Sequence, residues 1–417
     1  MNKYNRNEKY LAVLLSNSPL IKNIIKKVYQ YINFLLNKKK YRLKSKFKIS
    51  EVDNSNLSSF FGYYDKSPEN FSGTKVIYYR SHVNTTNKPS ENDSIQIILK
   101  CLKTNTTKVI DKTVAYNWQQ GAKMMWMTDV KFIYNVFSKQ TNSYHSKIYD
   151  INNKTFKSLE FPVYECFKDV SIYSLNFSRL MDIRPDYGYR NFTTIIDYDS
   201  YQNDGIFKLN INDNSYSLII SLKQLIDLKP LSNMNNAKHW VNHIMVSPNG
   251  ENLMFMHRWI SKSGKRFDRL VLTDSEGVSF CILADNEMVS HCCWNGNDSI
   301  VGYFRHNDED GFYQISILNY TIESFAKGLT GFGDGHPTIV SNKMIFDTYP
   351  DRSRMKQLYI YDLSQKKLQF LAEFYESFQF YNETRCDLHP RFNCDQSAIY
   401  VDSVHQDIRK LYKIDLK

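Results

Sequence analysis

Six of the ten histidines in this 417-residue chain occupy matching positions in a repeated pattern. Each stands just before, or at the inner end of, a short apolar run that predicts a β-strand. An imidazole can bind a metal ion or act as a general base near neutral pH, so several at one place would be suited to catalysis. A single histidine at such a position is more often a hydrogen-bonded core residue, and the prediction of a common site therefore depends on the shared position. The six are His239, His243, His257, His291, His336 and His389.

Charged, amide and aromatic side chains accompany these histidines in the sequence. Aromatic faces, carboxylates and amides bind hydroxyl-rich ligands such as sugars, and the arginine fork suits a carboxylate or a phosphate. We therefore expect a polar, hydroxyl-rich ligand such as a sugar. The alternative is structural, with Trp and Tyr filling cores and Asp–Arg pairs joining neighbouring units. The candidate binding residues are Asp65, Lys66, Trp118, Gln119, Arg184, Trp259, His336, Tyr349, Asp351 and Arg385.

The elements that must position these residues repeat near the end of the chain. A pattern of short strands without a helix that recurs after about 50 residues is typical of the blades of a β-propeller. Seven such units can be recognised, which predicts an all-β, seven-bladed propeller over residues 51 to 417. The first of the two clearest copies contains His336-Pro337 and Asp347, and the second contains His389-Pro390 and Asp402.

The propeller interpretation also predicts where strands begin and how the ring closes. Strand starts lie near the axis, so the histidines are expected at the central opening. In the third unit, a turn at Ser178-Arg179 predicts a strand at Leu180-Met181. A strand from the region 47 to 51 must complete either the first or the last blade, and the sequence leaves both possibilities open.

Residues 1 to 50 form a separate, basic segment. Apolar residues recur at helical spacing from about Ser18 to Asn37, with lysines between them, and no acidic residue occurs from Lys22 to Lys48. This pattern predicts a basic amphipathic helix. Such a helix can lie on an anionic membrane surface or pack its apolar stripe under the propeller. Nucleic acid is not expected as a partner, because the segment contains no recognised nucleic-acid-binding module.

The remaining features predict a cytoplasmic protein. No window has the roughly 18 to 20 uninterrupted apolar residues of a transmembrane helix. The apolar run from Leu11 to Leu15 is short for a signal peptide and lacks a small-residue cleavage site. The seven cysteines are odd in number, include the adjacent pair Cys292 and Cys293, and contain no CxxC pair, so neither a disulfide framework nor a zinc cluster is indicated.

Several motifs resemble those of the oligogalacturonate lyase family and its TolB-like propeller relatives. The resemblance covers about residues 236 to 417. It implies a seven-bladed propeller in which histidines and a glutamine bind a manganese-like divalent metal that neutralises a uronate carboxylate. A histidine then removes the C5 proton, and the glycosidic bond breaks by β-elimination. The motifs are the stretch 243 to 250, His257-Arg258-Trp259, His291 to Trp294, His336-Pro337 and His389-Pro390.

The resemblance assigns roles to individual residues. His291 matches the metal ligand of the family's His-x-x-Trp motif, and His389 matches the second histidine of its His-Pro-His-Pro motif. Asp387 stands where that motif has its first histidine, so the implied metal ligands are His291, Asp387 and His389. The implied catalytic residues are His243 or His257 as the base and Arg258 as the charge-stabilising arginine. Thr384 falls where the family has its ligand glutamine.

Other motifs resemble a cytoplasmic branch of these propellers associated with bacterial surface-polysaccharide biosynthesis. They include the stretches 61 to 68, 117 to 121, 334 to 337 and 348 to 352. Three functions follow as alternatives: lyase-like processing of an acidic glycan, a glycosyltransferase or other sugar-modifying activity, and non-catalytic glycan binding or scaffolding. The basic helix would then place the protein peripherally on the inner membrane.

Overall fold

The computed structural model describes residues 19–191, 197–198 and 200–416, with side chains from residue 24 onward. Within these residues, seven antiparallel sheets form the seven blades of a propeller, which confirms the predicted fold. In blades 1 to 5, chain order runs from the innermost strand at the axis to the outermost strand, and in blades 6 and 7 the outermost strand comes instead from the N-terminal region. The starts of the innermost strands therefore meet at one end of the axis.

The strand bounds follow the chain from blade 1 to blade 7. The blades comprise Ser58–Phe60, Lys75–Ser81, Ile95–Cys101 and Thr106–Thr113 (blade 1); Met125–Trp126, Lys131–Ser138, Ser143–Asp150 and Thr155–Leu159 (blade 2); Glu165–Phe167, Ser171–Ser174, Gly205–Leu209 and Tyr216–Ser221 (blade 3); Lys238–Val246, Asn252–Ile260, Arg266–Asp274 and Phe280–Ala284 (blade 4); Val289–Trp294, Ser299–His306, Glu309–Ser316 and Ile322–Ser324 (blade 5); Thr338–Val340, Lys343–Asp347, Met355–Asp362, Lys367–Tyr375 and Leu43–Ser45 (blade 6); and Arg391–Phe392, Ala398–Ser403, Lys410–Asp415 and Ile49–Glu51 (blade 7).

The second strand of each blade is buried on both faces because neighbouring blades pack against it. In Lys75–Ser81, the side chains from Val76 to Tyr79 are fully buried. β-Branched and aromatic residues pack well on such pleated surfaces. By contrast, the outermost strand Thr106–Thr113 is largely exposed.

The N-terminal region closes the ring through the last blade. Ile49–Glu51 pairs antiparallel with Lys410–Asp415 as the outermost strand of blade 7. Leu43–Ser45 adds a fifth strand to blade 6. The predicted domain boundary at residue 50 thus falls inside a strand that pairs with the C-terminal strand.

The repeated aspartates of the sequence join neighbouring blades. Asp347, at the end of the second strand of blade 6, accepts a hydrogen bond from the backbone N–H of His389 in blade 7 at 3.2 Å. Asp402, at the matching position in blade 7, accepts hydrogen bonds from Phe61 and Gly62 in blade 1 at 3.0 and 2.9 Å. Each carboxylate therefore fixes the loop that leads to the axis in the next blade.

Blade 3 departs from the prediction. The expected strand at Leu180-Met181 is wrong, because these residues belong to the helix Phe177–Ile183. The Asn176 side chain caps this helix by accepting hydrogen bonds from the first-turn backbone, and asparagine is favoured at that position. The helix begins an insertion, residues 175 to 204, between the second and third strands of the blade. A second short helix, Leu222–Leu228, follows the outermost strand.

The N-terminal helix spans Pro19–Asn37 and contacts blade 6 through aromatic residues. Ser18, where the predicted helix begins, lies outside the described residues. The ring centroids of Phe34 and Phe378 are 5.5 Å apart, and those of Tyr31 and Phe378 are 5.9 Å apart. In the described part of the chain, no helix is long and apolar enough to cross a membrane. Much of the apolar stripe is exposed: Ile24, Val28, Ile32, Leu35 and Leu36.

Candidate functional site

Four of the predicted histidines meet at the axis. The ring centroids of His291 and His336 are 4.1 Å apart, those of His336 and His389 are 4.4 Å apart, and those of His243 and His291 are 6.5 Å apart. The four come from blades 4, 5, 6 and 7, and all are buried. We call these four residues the axial histidine cluster.

Irregular backbone turns two of these histidines toward the axis. His243 has a φ of 53° and His389 a φ of 45°, a left-handed conformation that is uncommon for residues other than glycine. The strand pairing also shifts between Asn242 and Met245, on either side of His243. Bulges of this kind re-aim side chains next to functional sites, and such strained conformations persist only where the surroundings enforce them.

His336, Asp387 and His389 form the candidate metal centre. Each offers a ligand atom, and these atoms all lie within 4.8 Å of one another. Imidazole and carboxylate are suitable ligands for a divalent transition metal. Nε2 of His389 is buried without a hydrogen-bond partner, as expected for a nitrogen that would bind a cation. The residues therefore fit the divalent ion implied by the sequence.

This grouping differs from the predicted ligand set in one member. Asp387 and His389 were predicted as ligands and lie together, but their partner is His336, which was predicted to bind sugar. His291, the third predicted ligand, stands beside His336 and forms a 2.7 Å hydrogen bond through Nδ1 to the backbone oxygen of Asp334. The sequence analysis counts His336-Pro337 among the family motifs but assigns His336 to sugar binding, and the distance from His336 to Asp387 and His389 becomes visible only in the fold.

Surrounding charges fix the protonation of the candidate ligands. Burial disfavours an ionised Asp387, but Lys356 and Arg385 outweigh burial and hold its pKa well below the usual range. Burial, and next the charge of a protonated His336, lower the pKa of His389, which leaves a neutral imidazole. The pKa of His336 itself is raised, because Asp347 outweighs burial, so a bound cation would displace the proton of that imidazole. An ionised carboxylate and a neutral imidazole are the forms that bind metal.

Tyr63 and His243 form a stacked pair at the edge of the cluster. Their rings are 5.1 Å apart with an angle of 14° between planes, and the tyrosine oxygen lies 3.4 Å from Nε2 of His243. Burial, followed by the charge of Arg258, lowers the pKa of His243 well below its usual value. A neutral imidazole at this position can accept a proton.

Arg258 faces blade 5 and is close enough to His243 for its charge to lower the pKa of that histidine. Its Nε is 2.9 Å from a carboxylate oxygen of Asp268. Its guanidinium also donates a hydrogen bond to the backbone oxygen of Val289 at 3.3 Å. The predicted charge-stabilising arginine is therefore next to the candidate base and already neutralised by a buried carboxylate.

A chain of ion pairs covers the mouth of the site. Arg385 donates to Asp387 at 2.8 Å and to Asp186 at 3.0 Å, and Arg184 donates to Asp186 at 3.1 Å. The Tyr187 hydroxyl lies 3.3 Å from Arg385. Arg184, Asp186 and Tyr187 belong to the blade 3 insertion, so this insertion reaches across the axis to blade 7.

The insertion also covers the catalytic candidates directly. The Tyr187 ring is 5.4 Å from His243 and 6.0 Å from Tyr63, edge to face in both cases. On the opposite side, the ring of Tyr349, a predicted binding residue, is 6.0 Å from His336. These side chains shield the cluster from solvent.

The structure places His257 and Trp259 elsewhere, which corrects their predicted position in the opening. Nε2 of His257 lies 3.0 Å from Nδ1 of His239, and both histidines are buried in blade 4. Trp259 donates a hydrogen bond from its indole to Asn233 at 3.0 Å. Side chains alternate along a strand, so when Arg258 faces Val289 of blade 5, both of its neighbours face the other side of the sheet. His243 is thus the candidate base.

Asp65 and Lys66 lie at the opposite end of the innermost strands from the axial histidine cluster. Lys66 pairs with Glu165 at 2.7 Å and lies 3.7 Å from Asp65, which is also 3.6 Å from Lys123. Asp65 and Lys66 line a cavity of about 510 Å³ at that end of the axis. After Tyr63, the chain continues along the axis. Asp65 and Lys66, only two and three residues later, therefore lie nearer the other end of the axis than Tyr63 does.

Three other predicted binding residues have structural contacts. Trp118 is buried against Phe60 and donates from its indole to the backbone oxygen of Asn87 at 2.8 Å. The side-chain amide of Gln119 donates a hydrogen bond to the backbone oxygen of Arg385 at 2.8 Å and so helps to fix the backbone of that arginine. Asp351 accepts backbone hydrogen bonds that stabilise the turn at residues 351 to 355.

Tyr63, Asp186 and Tyr187 belong to the charged and aromatic stretches 63 to 66 and 184 to 189, but the sequence assigned no role to them or to Asp347. For Asp347, a signal was present, because it recurs at the position of Asp402 in the next unit. The tyrosine at position 63 stands in a Tyr-Tyr-Asp-Lys stretch in which only the last two residues were singled out. Asp186 and Tyr187 stand beside Arg184 in a polar and aromatic stretch, but nothing in the sequence indicates their partner Arg385, about 200 positions away.

Comparisons with known proteins support the fold. No protein-family model and no curated protein matches this sequence. Among solved structures, oligogalacturonate lyase from Vibrio parahaemolyticus has a TM-score of 0.61 and 12% identity over 90% of this chain and 96% of that chain. An oligogalacturonate lyase in complex with manganese has a TM-score of 0.63 and 11% identity over 90% and 95%.

A third match is a propeller from another kind of protein. The β-propeller domain of the Trilobed protease from Pyrococcus furiosus has a TM-score of 0.50 and 10% identity, covering 86% of this chain and 96% of that chain. At such low identity, these likenesses establish the propeller architecture. They do not extend to activity, which must be argued from the site.

Proposed function

We propose that the protein is a lyase-like enzyme that binds an acidic, uronate-containing oligosaccharide at the axial histidine cluster and breaks a glycosidic bond by β-elimination. The observation that carries this proposal is the buried group of His336, Asp387 and His389, with ligand atoms within 4.8 Å. Arg184 and Arg385 beside this group suit an anionic substrate. The likeness of the fold to two oligogalacturonate lyases supports the same class of ligand.

In this proposal, His336, Asp387 and His389 hold a divalent cation of the manganese type. A bound cation neutralises the substrate carboxylate and thereby makes the proton on the adjacent carbon, C5, more acidic. The unpartnered Nε2 of His389 and the ionised carboxylate of Asp387 are ready to bind it.

The side chains of this protein then perform the proton transfer. Arg385 and Arg184 orient the substrate carboxylate by hydrogen bonds of the kind they now make to Asp186, two from Arg184 and one from Arg385. His243, held neutral by burial, removes the C5 proton. Tyr187 and Tyr349 exclude water from the site, which strengthens the electrostatic interactions within it.

A metal-binding and product assay tests the proposal. Purified protein titrated with Mn²⁺ alone should bind one ion, and His336→Ala, Asp387→Asn and His389→Ala should each weaken that binding at least tenfold. His82→Ala, at an exposed histidine of blade 1, is the control and should bind as the parent does. Incubation with oligouronates should yield an unsaturated product, detected by ultraviolet absorbance and mass.

The other two interpretations of the site give different results in the same assay. Metal binding with no product from any oligouronate, but with retained oligosaccharide affinity, would identify a glycan-binding or scaffold propeller. Transfer of a sugar from a nucleotide donor would identify a glycosyltransferase. Failure to bind Mn²⁺ and oligosaccharide alike would refute the proposed site.

We further propose that the Pro19–Asn37 helix binds an anionic membrane surface peripherally. Its side chains Ile24, Val28, Ile32, Leu35 and Leu36 are about half exposed or more, and the sequence from Lys22 to Lys48 contains no acid. Lysines near an anionic surface contribute on the order of 1 kcal/mol each. A place in surface-polysaccharide metabolism, at the inner membrane face, is consistent with this location and with the motif resemblance.

A further inference from the structure

Tyr63 and His243 approach each other across the axis from different blades. Tyr63 follows the innermost strand of blade 1, Ser58–Phe60, whereas His243 stands at the bulge in the innermost strand of blade 4. The phenol oxygen and Nε2 of the imidazole are 3.4 Å apart. Catalytic hydrogen bonds are often this long before substrate binds, so the pair is within reach of proton exchange.

Tyr63 is also adjacent to the candidate metal centre. Its ring lies 4.9 Å from that of His389 and 6.2 Å from that of His336, edge on to both. A sugar whose carboxylate reaches His389 and His336 would therefore present its neighbouring ring atoms to the phenol and the imidazole together. The Tyr164 hydroxyl lies 3.0 Å from the backbone N–H of His243 and accepts its hydrogen bond, whereas the Tyr63 hydroxyl approaches the imidazole itself.

We infer that Tyr63 is the proton donor to the leaving oxygen, and that the enzyme acts on uronates whose C5–H and C4–O bonds lie on the same face of the sugar ring. This inference rests on the proposed lyase function. It deepens that function by naming a second catalytic residue and the stereochemical class of substrate.

The proposed step balances protons and electrons within the pair. Nε2 of His243 takes the proton from C5, and the electrons of that C–H bond form the double bond between C4 and C5. The bond from C4 to the glycosidic oxygen breaks, and this oxygen takes the phenolic proton of Tyr63. The imidazolium then returns its proton to the phenolate across the 3.4 Å contact, which restores both residues.

The short distance within the pair decides the stereochemistry. If the C5 proton and the leaving oxygen lay on opposite faces of the sugar ring, the base and the acid would have to stand on opposite sides of that ring. Groups 3.4 Å apart cannot enclose a sugar ring, so both act from one face. As with glycosidases, the separation of the two catalytic groups predicts the stereochemical course.

This geometry selects among uronates. In gluco- and manno-configured uronates, the C5–H and C4–O bonds lie on the same face, whereas in galacturonate they lie on opposite faces. The parent protein with Mn²⁺ should therefore form unsaturated product from oligoglucuronate or oligomannuronate at least tenfold faster than from oligogalacturonate. Faster cleavage of oligogalacturonate would overturn the stereochemical inference while leaving the lyase proposal intact.

A leaving-group experiment tests the role of Tyr63. Tyr63→Phe should lower the rate on the preferred oligosaccharide by about 10²- to 10⁴-fold, the usual contribution of a general acid. On a uronate with a 4-O-nitrophenyl group, which departs without a proton, the same variant should lose less than about tenfold. His243→Ala should lose activity on both substrates, because both need the base.

Controls separate chemistry from folding. Tyr116→Phe, at a buried tyrosine whose hydroxyl has no hydrogen-bond partner, should retain activity on both substrates. Tyr63→Phe should bind Mn²⁺ as the parent does, which would establish that its fold and metal centre are intact. Equal losses on both substrates, or full activity on the oligosaccharide, would overturn the assignment of Tyr63. A parent protein inactive on every oligouronate would instead overturn the proposed function, and this inference with it.

Discussion

The carboxylate of Asp347 lies 2.9 Å from Nδ1 of His336 and accepts the backbone N–H of the same residue at 2.7 Å. Its second oxygen accepts the backbone N–H of His389 at 3.2 Å. One buried carboxylate thus orients two of the three candidate metal ligands, which come from different blades. A carboxylate behind a ligating histidine fixes the orientation of the ring and leaves Nε2 to face the metal.

Asp347→Asn should therefore weaken Mn²⁺ binding by about 10- to 100-fold, the usual effect of losing such a supporting carboxylate. The measurement is a titration of the folded variant with Mn²⁺. Asp402→Asn is the matched control, because Asp402 makes the same kind of contact between blade 7 and blade 1 but supports no ligand. Equal losses in both variants would mean that Asp347 acts only through blade packing.

The fold and half of the site followed from local sequence. His-Pro pairs and the aspartates that follow them recur at a fixed distance, so they could be aligned with one another and assigned to strand starts. His336 and His389 indeed lie side by side, with ring centroids 4.4 Å apart. Closure of the ring could not be predicted, because the pairing of Ile49–Glu51 with Lys410–Asp415 depends on the geometry of the whole propeller.

The errors have equally specific causes. The repeat position and the family resemblance place both His257 and Arg258 at the opening, although adjacent residues of a regular strand face opposite sides. The bulge beside His243 is invisible in the sequence, because it depends on the register of the partner strand. The pairing of Arg385 with Asp186 joins an insertion of blade 3 to blade 7, and no local pattern marks so distant a contact.

Asp186 is hydrogen-bonded to the two arginines that are proposed to bind the substrate carboxylate. It accepts hydrogen bonds from both Arg184 and Arg385, so an incoming carboxylate must replace it. Asp186→Asn should lower the KM for an acidic oligosaccharide severalfold, because the neutral amide competes less well for the two guanidinium groups. Steady-state kinetics on the preferred oligouronate would measure the effect.

Asp182→Asn provides the control for this experiment. Asp182 lies in the same insertion, but its carboxylate pairs with Lys238 at a partly exposed position away from the cluster. The control should leave KM unchanged. An increase in KM for Asp186→Asn would mean that the aspartate positions the arginines for substrate and does not compete with it.

The buried pair of His239 and His257 should make stability depend on pH. Burial lowers the pKa of His257 well below its usual value and that of His239 to about 4, and the charge of Arg269 acts in the same direction for both. The unfolded chain therefore binds more protons than the native protein between about pH 4 and pH 6.5. The free energy of unfolding should be greatest above pH 6.5 and should fall as pH decreases through this range.

Chemical denaturation at several pH values would measure this contribution. His257→Gln should reduce the loss of stability by on the order of 1 kcal/mol per pH unit relative to the parent, since one proton fewer is taken up on unfolding. His82→Gln, at an exposed position, should leave the slope unchanged. Identical slopes in the parent and His257→Gln would contradict a neutral buried pair.

The exposed stripe of the N-terminal helix should bind anionic vesicles. Leu36 is 79% exposed and Ile24 is 62% exposed, and the surrounding lysines have no acidic neighbour within the helix. Co-sedimentation with vesicles that contain phosphatidylserine should decrease with added salt, because screening weakens the attraction between lysines and lipid headgroups. Replacing both Ile24 and Leu36 by Ser should weaken binding at least tenfold, since apolar burial is lost.

Leu318→Ser, at a 73% exposed residue of blade 5, is the matched control and should bind like the parent. Binding that persists in the double variant and at high salt would exclude the helix as the membrane contact.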